Sequence, residues 1–201
     1  MYTHVCERAC INTHTHAGGL GASDQMAQLK ETAHYAEFGS CHNIVINEET
    51  GFGYAVGTKT CRGGLHMIDL SIPDKPVFAG CYDDDGYTHD AQCVVYRGPD
   101  KRFVGQEICF AYNENTLTIV DVTDKTTPRM LSRVTYDNVH YTHQGWLTED
   151  QSHLLLNVRL LGQGAQACAC VRVCVYSISM CSCVGMRFEY VCMRRYACAC
   201  N

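Results

Sequence analysis

Three histidines recur at one point of a repeat. Cys41-His42-Asn43, Thr88-His89-Asp90 and Thr142-His143-Gln144 open successive copies, spaced 47 and 54 residues apart. If that point starts the innermost strand of each copy, the three imidazoles converge on one channel. Neutral imidazoles gathered in this way can hold iron, zinc or copper. The competing role is structural, with each histidine bonding the neighbouring strands. A second candidate is Asp83-Asp84-Asp85-Gly86, where three carboxylates precede a glycine and can ligate calcium. It lacks the alternating spacing and the distant Glu of an EF-hand loop, so a solvated acidic turn is the simpler reading. Beyond calcium or a transition metal at these places, no cofactor is expected.

The cysteines suggest redox chemistry of a structural kind. Cys93 and Cys109 flank a hairpin, with AQCVVY running out and EICFAY returning, so antiparallel pairing brings them within disulfide reach. Cys61 and Cys81 bracket the third and fourth strands of the first copy and form the next candidate pair, which leaves Cys41 over. Such bonds fit an oxidising compartment, whereas buried free thiols are the alternative. Asp69 and Asp121 each follow an apolar run and are expected to bond turn amides rather than to act as acid or base. Trp146 is the single tryptophan and is expected to pack in the first strand of the third copy. No G-x-S-x-G elbow appears, and GGLG (18–21) and LGQG (161–164) do not lie where a strand opens into a helix. No catalytic residue is assigned.

Strands must position these groups. HNIVIN (42–47), FGYAVG (52–57), LHMIDL (65–70) and PVFAG (76–80) are short, β-branched or aromatic, and separated by turn residues. Glu49-Thr50-Gly51 supplies a hairpin turn. Leu65 to Ser71 (LHMIDLS) aligns with Leu117 to Thr123 (LTIVDVT) at an offset of 52, and the same offset carries Pro76 onto Pro128. About four strands in roughly 50 residues is the size of a propeller blade. The expected fold is all-β: a partial β-propeller of about two four-stranded blades, near 41–86 and 88–137, plus the first hairpin of a third.

The piece TLTIVDVTDKTTP is similar to the LVIVD repeat. Residues 35–156 as a whole resemble the choice-of-anchor B family of extracellular β-propellers, through EFGSCHNIVINEETGFGYAVGT, CRGGLHMIDLSIPDKPVFAGC, GYTHDAQCVVYRGPD, EICFAYNENTLTIVDVTDK and YTHQGWLTEDQ. The resemblance covers about three-fifths of the chain. It implies secretion or display at the cell surface and brings no established enzymatic activity. A non-enzymatic propeller that presents a protein- or glycan-binding surface is therefore expected, and its alternative is a metal-dependent secreted enzyme built on His42, His89 and His143. Two open blades leave apolar faces and sheet edges uncovered, so further blades are expected to be needed for a stable fold.

The chain has 201 residues and a formal net charge of -5, which gives no reason to expect nucleic-acid binding. No apolar run approaches the roughly 20 residues of a membrane helix, and no signal peptide is visible at the start. Of its 15 cysteines, eight crowd into residues 168–200. There ACACVRVCVY (167–176) alternates Ala or Val with Cys, Arg or Tyr, the pattern that alternating purine–pyrimidine DNA encodes. MYTHVC at the start obeys the same rule. Residues 1–34 are thus expected to be a non-domain segment and 157–201 an irregular Cys-rich tail, both translated in part from repetitive DNA. The competing reading of the tail is a Cys-rich metal clamp, although pairs such as Cys168/Cys170 lack the chelating Cys-x2-4-Cys turn.

Overall fold

The computed structural model describes the backbone of residues 9–11, 32–135, 139–160, 166–172 and 179–181, and side chains within 32–135 and 141–157. Runs of β-branched and aromatic residues broken by turn formers become strands. β1 (Ala9–Ile11) pairs with β2 (Ala33–Tyr35). The first four-stranded sheet then follows chain order as β3 (Asn43–Asn47), β4 (Phe52–Val56), β5 (Leu65–Asp69) and β6 (Val77–Tyr82). The second consists of β7 (Asp90–Val95), β8 (Glu107–Asn113), β9 (Thr116–Asp121) and β10 (Arg129–Val134). The third consists of β11 (Val139–Leu147), β12 (His153–Leu160), β13 (Gln166–Arg172) and β14 (Ser179–Cys181). All neighbours are antiparallel, and the one helical element among the described residues is a single 3-10 turn at Cys61–Gly63. The described residues are all-β, a run of three blade-like four-stranded sheets that do not close a ring among themselves.

Local chemistry sets the turns. Gly51 closes the β3–β4 hairpin at a φ of 73°, a left-handed conformation that glycine adopts without steric cost, and its amide donates to the Asn47 carbonyl at 2.9 Å. Asp69 accepts from the Ser71 amide at 2.8 Å and Asp121 from the Thr123 amide at 3.0 Å, so both aspartates close turns of the Asx kind.

The third sheet departs from expectation. Its first hairpin is where the sequence predicts, but β12 pairs onward with β13 and β13 with β14, inside the tail expected to be irregular. The physical reason is the alternation itself: a two-residue repeat of small apolar and larger polar residues has the period of a strand. The N-terminal segment likewise contributes Ala9–Ile11 to a strand pair.

Alternate residues of each strand face opposite neighbours, and this builds two apolar seams. Tyr54, Val56, Leu65, Met67 and Tyr82 of the first sheet meet Ala91, Cys93, Cys109, Ala111, Val120 and Val122 of the second. Ile108, Phe110, Tyr112, Leu117 and Ile119 on the other side of the second sheet meet Leu147, Leu154 and Leu156 of the third. Each large side chain fully buried is worth about 1.5–3 kcal/mol, so these seams hold sheet to sheet. Trp146 does not join them: alternation along β11 puts Leu147 inward and leaves Trp146 exposed, contrary to the sequence expectation.

A further repeat escapes the sequence reading. Tyr35, Tyr82 and Tyr136 each stand seven residues before His42, His89 and His143. Tyr82 ends β6 and is buried in the seam against the second sheet. Tyr35 ends β2 and, with Phe38 and Cys41, is buried against Ala55, Ile68 and Leu70 on the outer side of the first sheet. β2 therefore stands to the first sheet as β6 stands to the second.

Candidate functional site

The repeated histidines do converge. His42 and His89 immediately precede β3 and β7, and His143 lies within β11. Their rings stack in a column, with centroids 3.8 Å apart between His42 and His89 and 4.5 Å apart between His89 and His143. Tyr141 meets His89 edge-on at 5.1 Å. The contacts are those of packing and bonding between blades. His89 Nδ1 lies 2.7 Å from the His143 backbone carbonyl, so it donates across the second seam. His42 Nδ1 is buried and has no hydrogen-bond partner among the described residues.

Asp90 stands beside the column. It accepts from Asn43 Nδ2 at 2.7 Å and from the Ala91 amide at 2.8 Å, which ties the first sheet to the second. Burial pushes its carboxyl above the usual carboxylate range and outweighs those bonds and the neighbouring His143 and His42. Among the described residues no group of three or more His, Cys, Asp or Glu is disposed to hold a metal ion.

The acidic turn is also occupied from within. Asp85 Oδ2 accepts from Asn113, Thr116 and Thr118, while Oδ1 accepts from Arg133 Nε at 2.6 Å. Burial raises the Asp85 carboxyl, but the bonds from Thr118, Arg133 and Asn113 outweigh it and leave it below its ordinary value. Asp84 is exposed and Asp83 half-buried.

The structure joins Cys61 to Cys81 with Cα atoms 5.4 Å apart, and Cys93 to Cys109 with Cα atoms 4.0 Å apart. Cys93 and Cys109 are directly opposed on β7 and β8. Cys41 is buried and lies outside both bonds.

Two polar sites were not legible as such in the sequence. Glu107 is buried between the first two sheets: Oε1 accepts from Asn47 Nδ2 at 2.7 Å, Thr50 Oγ1 at 2.7 Å and Tyr54 Oη at 2.6 Å, and Oε2 from Lys125 Nζ at 2.9 Å. Lys125 Nζ also sits 4.0 Å over the Phe52 ring. The Lys125 carbonyl approaches β6 so closely that a Cβ on Gly80 would collide with it. His66 is the second site, enclosed by Tyr35, Phe38 and Phe78, with Tyr35 Oη 2.8 Å from Nε2 and Thr60 Oγ1 2.8 Å from Nδ1. Burial holds the imidazole below its usual pKa, and it raises the Tyr35 phenol to about 12. The Tyr-x6-His spacing is the signal that could have placed Tyr35.

At one rim the hairpin turns are linked sheet to sheet. Glu49 of the first sheet pairs with the Arg97 guanidinium of the second, and the Arg97 amide donates to Gln151 Oε1 of the third at 2.6 Å. The loop between β7 and β8 is the longest at this rim. Asp100 braces it by accepting from Arg102 Nε at 2.8 Å, while Lys101, Arg102 and Val104 remain exposed.

A family model described as the LVIVD repeat matches residues 105–136, the span of β8 to β10 that holds Glu107 and Lys125. No curated protein sequence matches this chain. Among solved structures, the crystal structure of a protein from Lactobacillus plantarum is similar at 10% identity and a TM-score of 0.48, over 70% of this chain and 41% of that one. The chain spans less than half of that protein's length.

Proposed function

We propose that this LVIVD-repeat chain is a non-enzymatic, extracellular binding module of the choice-of-anchor B type, which presents a protein- or glycan-binding surface at the rim of linked hairpins. The observation that carries this reading is the bracing of that rim. Glu49, Arg97 and Gln151 tie three successive turns together, and the β7–β8 loop projects Lys101, Arg102 and Val104 from the braced base. A surface fixed in advance loses less entropy when a partner binds. The two disulfides support an oxidising compartment, and no helix among the described residues is long and apolar enough to cross a membrane.

The alternative, a metal-dependent enzyme acting through His42, His89 and His143, has the clustering of the rings in its favour. Against it stand the bond from His89 to the His143 carbonyl and the packing of the column. Saturable binding of the labelled chain to a glycan array or to intact cells tests the proposal. The expected result is binding that survives EDTA and is lost in the double variant Lys101→Glu/Val104→Asp. Binding indifferent to that variant, or a hydrolytic activity that EDTA removes, would overturn it.

A further inference from the structure

The two disulfides differ in what surrounds them. Cys93 and Cys109 are 7% and 0% exposed and belong to the apolar seam between the first two sheets. Cys81 is half-buried on β6, the outermost strand of the first sheet, and directly opposes His66 of β5. Its partner Cys61 is buried, and the Cys61 sulfur lies 3.7 Å from His66 Nδ1. An external thiol can therefore reach this bond from the Cys81 side, with an imidazole beside the sulfur that would leave.

A chain of hydroxyls fixes which ring nitrogen carries the proton. Thr58 Oγ1 donates to the Thr60 carbonyl at 2.9 Å, so it accepts from Thr60 Oγ1 at 2.7 Å. Thr60 Oγ1 has then committed its own proton and accepts from His66 Nδ1 at 2.8 Å. Tyr35 Oη completes the pattern by donating to Nε2 at 2.8 Å. A neutral imidazole has one donor and one acceptor nitrogen, so the proton sits on Nδ1, the atom nearest the Cys61 sulfur. An N–H beside a developing thiolate stabilises it, and a disulfide opens faster when its leaving sulfur is so stabilised.

The backbone adds strain at the same bond. Cys61 and Arg62 have φ of 47° and 49°, a left-handed conformation that is costly for residues with a Cβ. In the turn they form, the Gly63 carbonyl accepts from the amides of Gly57 and Thr88, each at 2.9 Å. Thr88 immediately precedes His89, so the turn closed by this disulfide also holds the connection between the first two sheets.

We propose that the Cys61–Cys81 bond is a thiol–disulfide exchange site for a small aliphatic thiol such as reduced glutathione. The incoming thiolate attacks Cys81 Sγ and forms a mixed disulfide there. The protein's S–S bond breaks with its electron pair on Cys61 Sγ, whose thiolate accepts a hydrogen bond from His66 Nδ1. A second thiolate then attacks the external sulfur of the mixed disulfide and releases Cys81 as a thiolate. Two protein sulfurs are thereby reduced, and two molecules of the thiol are oxidised to their disulfide. Opening the bond lets Cys61 and Arg62 leave the left-handed region and frees the turn that holds Thr88.

The test uses the full native chain with its free thiols first blocked by iodoacetamide. Reduced glutathione is added near neutral pH, new thiols are trapped with N-ethylmaleimide, and the products are mapped as peptides. The expected first product carries glutathione on Cys81 and the trap on Cys61, formed at least about tenfold faster than Cys93 or Cys109 is trapped. His66→Phe removes the donor and is expected to slow this step by about tenfold, the effect of losing one hydrogen bond to a charged group, with Cys93–Cys109 unchanged. Thr60→Val leaves the Nδ1 proton to the sulfur alone and is expected to speed the same step. Equal rates at the two disulfides, or glutathione on Cys61 in place of Cys81, would overturn the proposal. So would a rate at Cys81 that His66→Phe does not lower or, where that variant loses its fold and opens both bonds alike, one that Thr60→Val does not raise.

Discussion

Lys125 and Glu107 form an ion pair buried between two sheets, and Glu107 is at the same time the acceptor for three side chains of the first sheet. A buried pair adds little over an apolar pair of equal shape, but losing one partner strands the other charge. Lys125→Met is therefore expected to cost about 3–5 kcal/mol. The double variant Lys125→Met/Glu107→Gln should recover a large part of that loss, because a neutral amide oxygen still accepts from Asn47, Thr50 and Tyr54. Urea unfolding of the single and double variants measures both. Equal losses in the two would show that the charges are not coupled.

The box around His66 gives stability a pH dependence. Burial lowers the folded pKa, so near the unfolded value of about 6.5 the unfolded chain binds more protons than the folded one. Stability is then complete above that pH and falls as the pH drops below it, by at most about 1.4 kcal/mol per unit for this one proton. His66→Gln keeps a group that can bond Tyr35 but cannot titrate. Its unfolding midpoint is expected to stay flat between pH 7.5 and 5.5, where that of the wild type declines. Parallel declines would assign the effect to another group.

The two disulfides span 20 and 16 residues in sequence. Loop closure on that scale stabilises by about 3 kcal/mol per bond. Peptide mapping without reduction is expected to give the Cys61–Cys81 and Cys93–Cys109 linkages, and Cys93→Ala/Cys109→Ala should lower stability by about that amount. Recovery of Cys41 in a crosslink with either pair would contradict the arrangement.

The strands of the first two sheets were readable because Leu65–Asp69 and Thr116–Asp121 lie in short apolar runs, set between turn formers, that repeat at an offset of 52 residues. The stacked histidines were readable because each one opens a copy of the repeat, at spacings of 47 and 54 residues. Glu107 was not. Its role depends on Asn47, Thr50, Tyr54 and Lys125, which lie 18 to 60 residues away and meet it only once two sheets stack. His66 was hidden for a similar reason, since two of its enclosing rings come from a segment that precedes the first sheet. Trp146 shows the limit of a residue-type argument: large and apolar implies buried only when a neighbour exists for that face.

Ala167–Arg172 of β13 keep an alternation that one simple rule of the genetic code would produce. Codons have three letters, an odd number, so DNA that alternates purine and pyrimidine gives two codon classes in strict turn whichever frame or strand is read. One class encodes Ile, Met, Val, Thr and Ala; the other encodes Tyr, His, Cys and Arg. Every such translation is a two-beat polymer of β-compatible side chains, and the same alternation in Ala167–Arg172 pairs along β12. Simple-sequence DNA that drifts into a coding frame beside an open sheet therefore arrives as a ready-made strand, and a growing repeat protein can lengthen its sheets before selection has acted on a single residue of the addition.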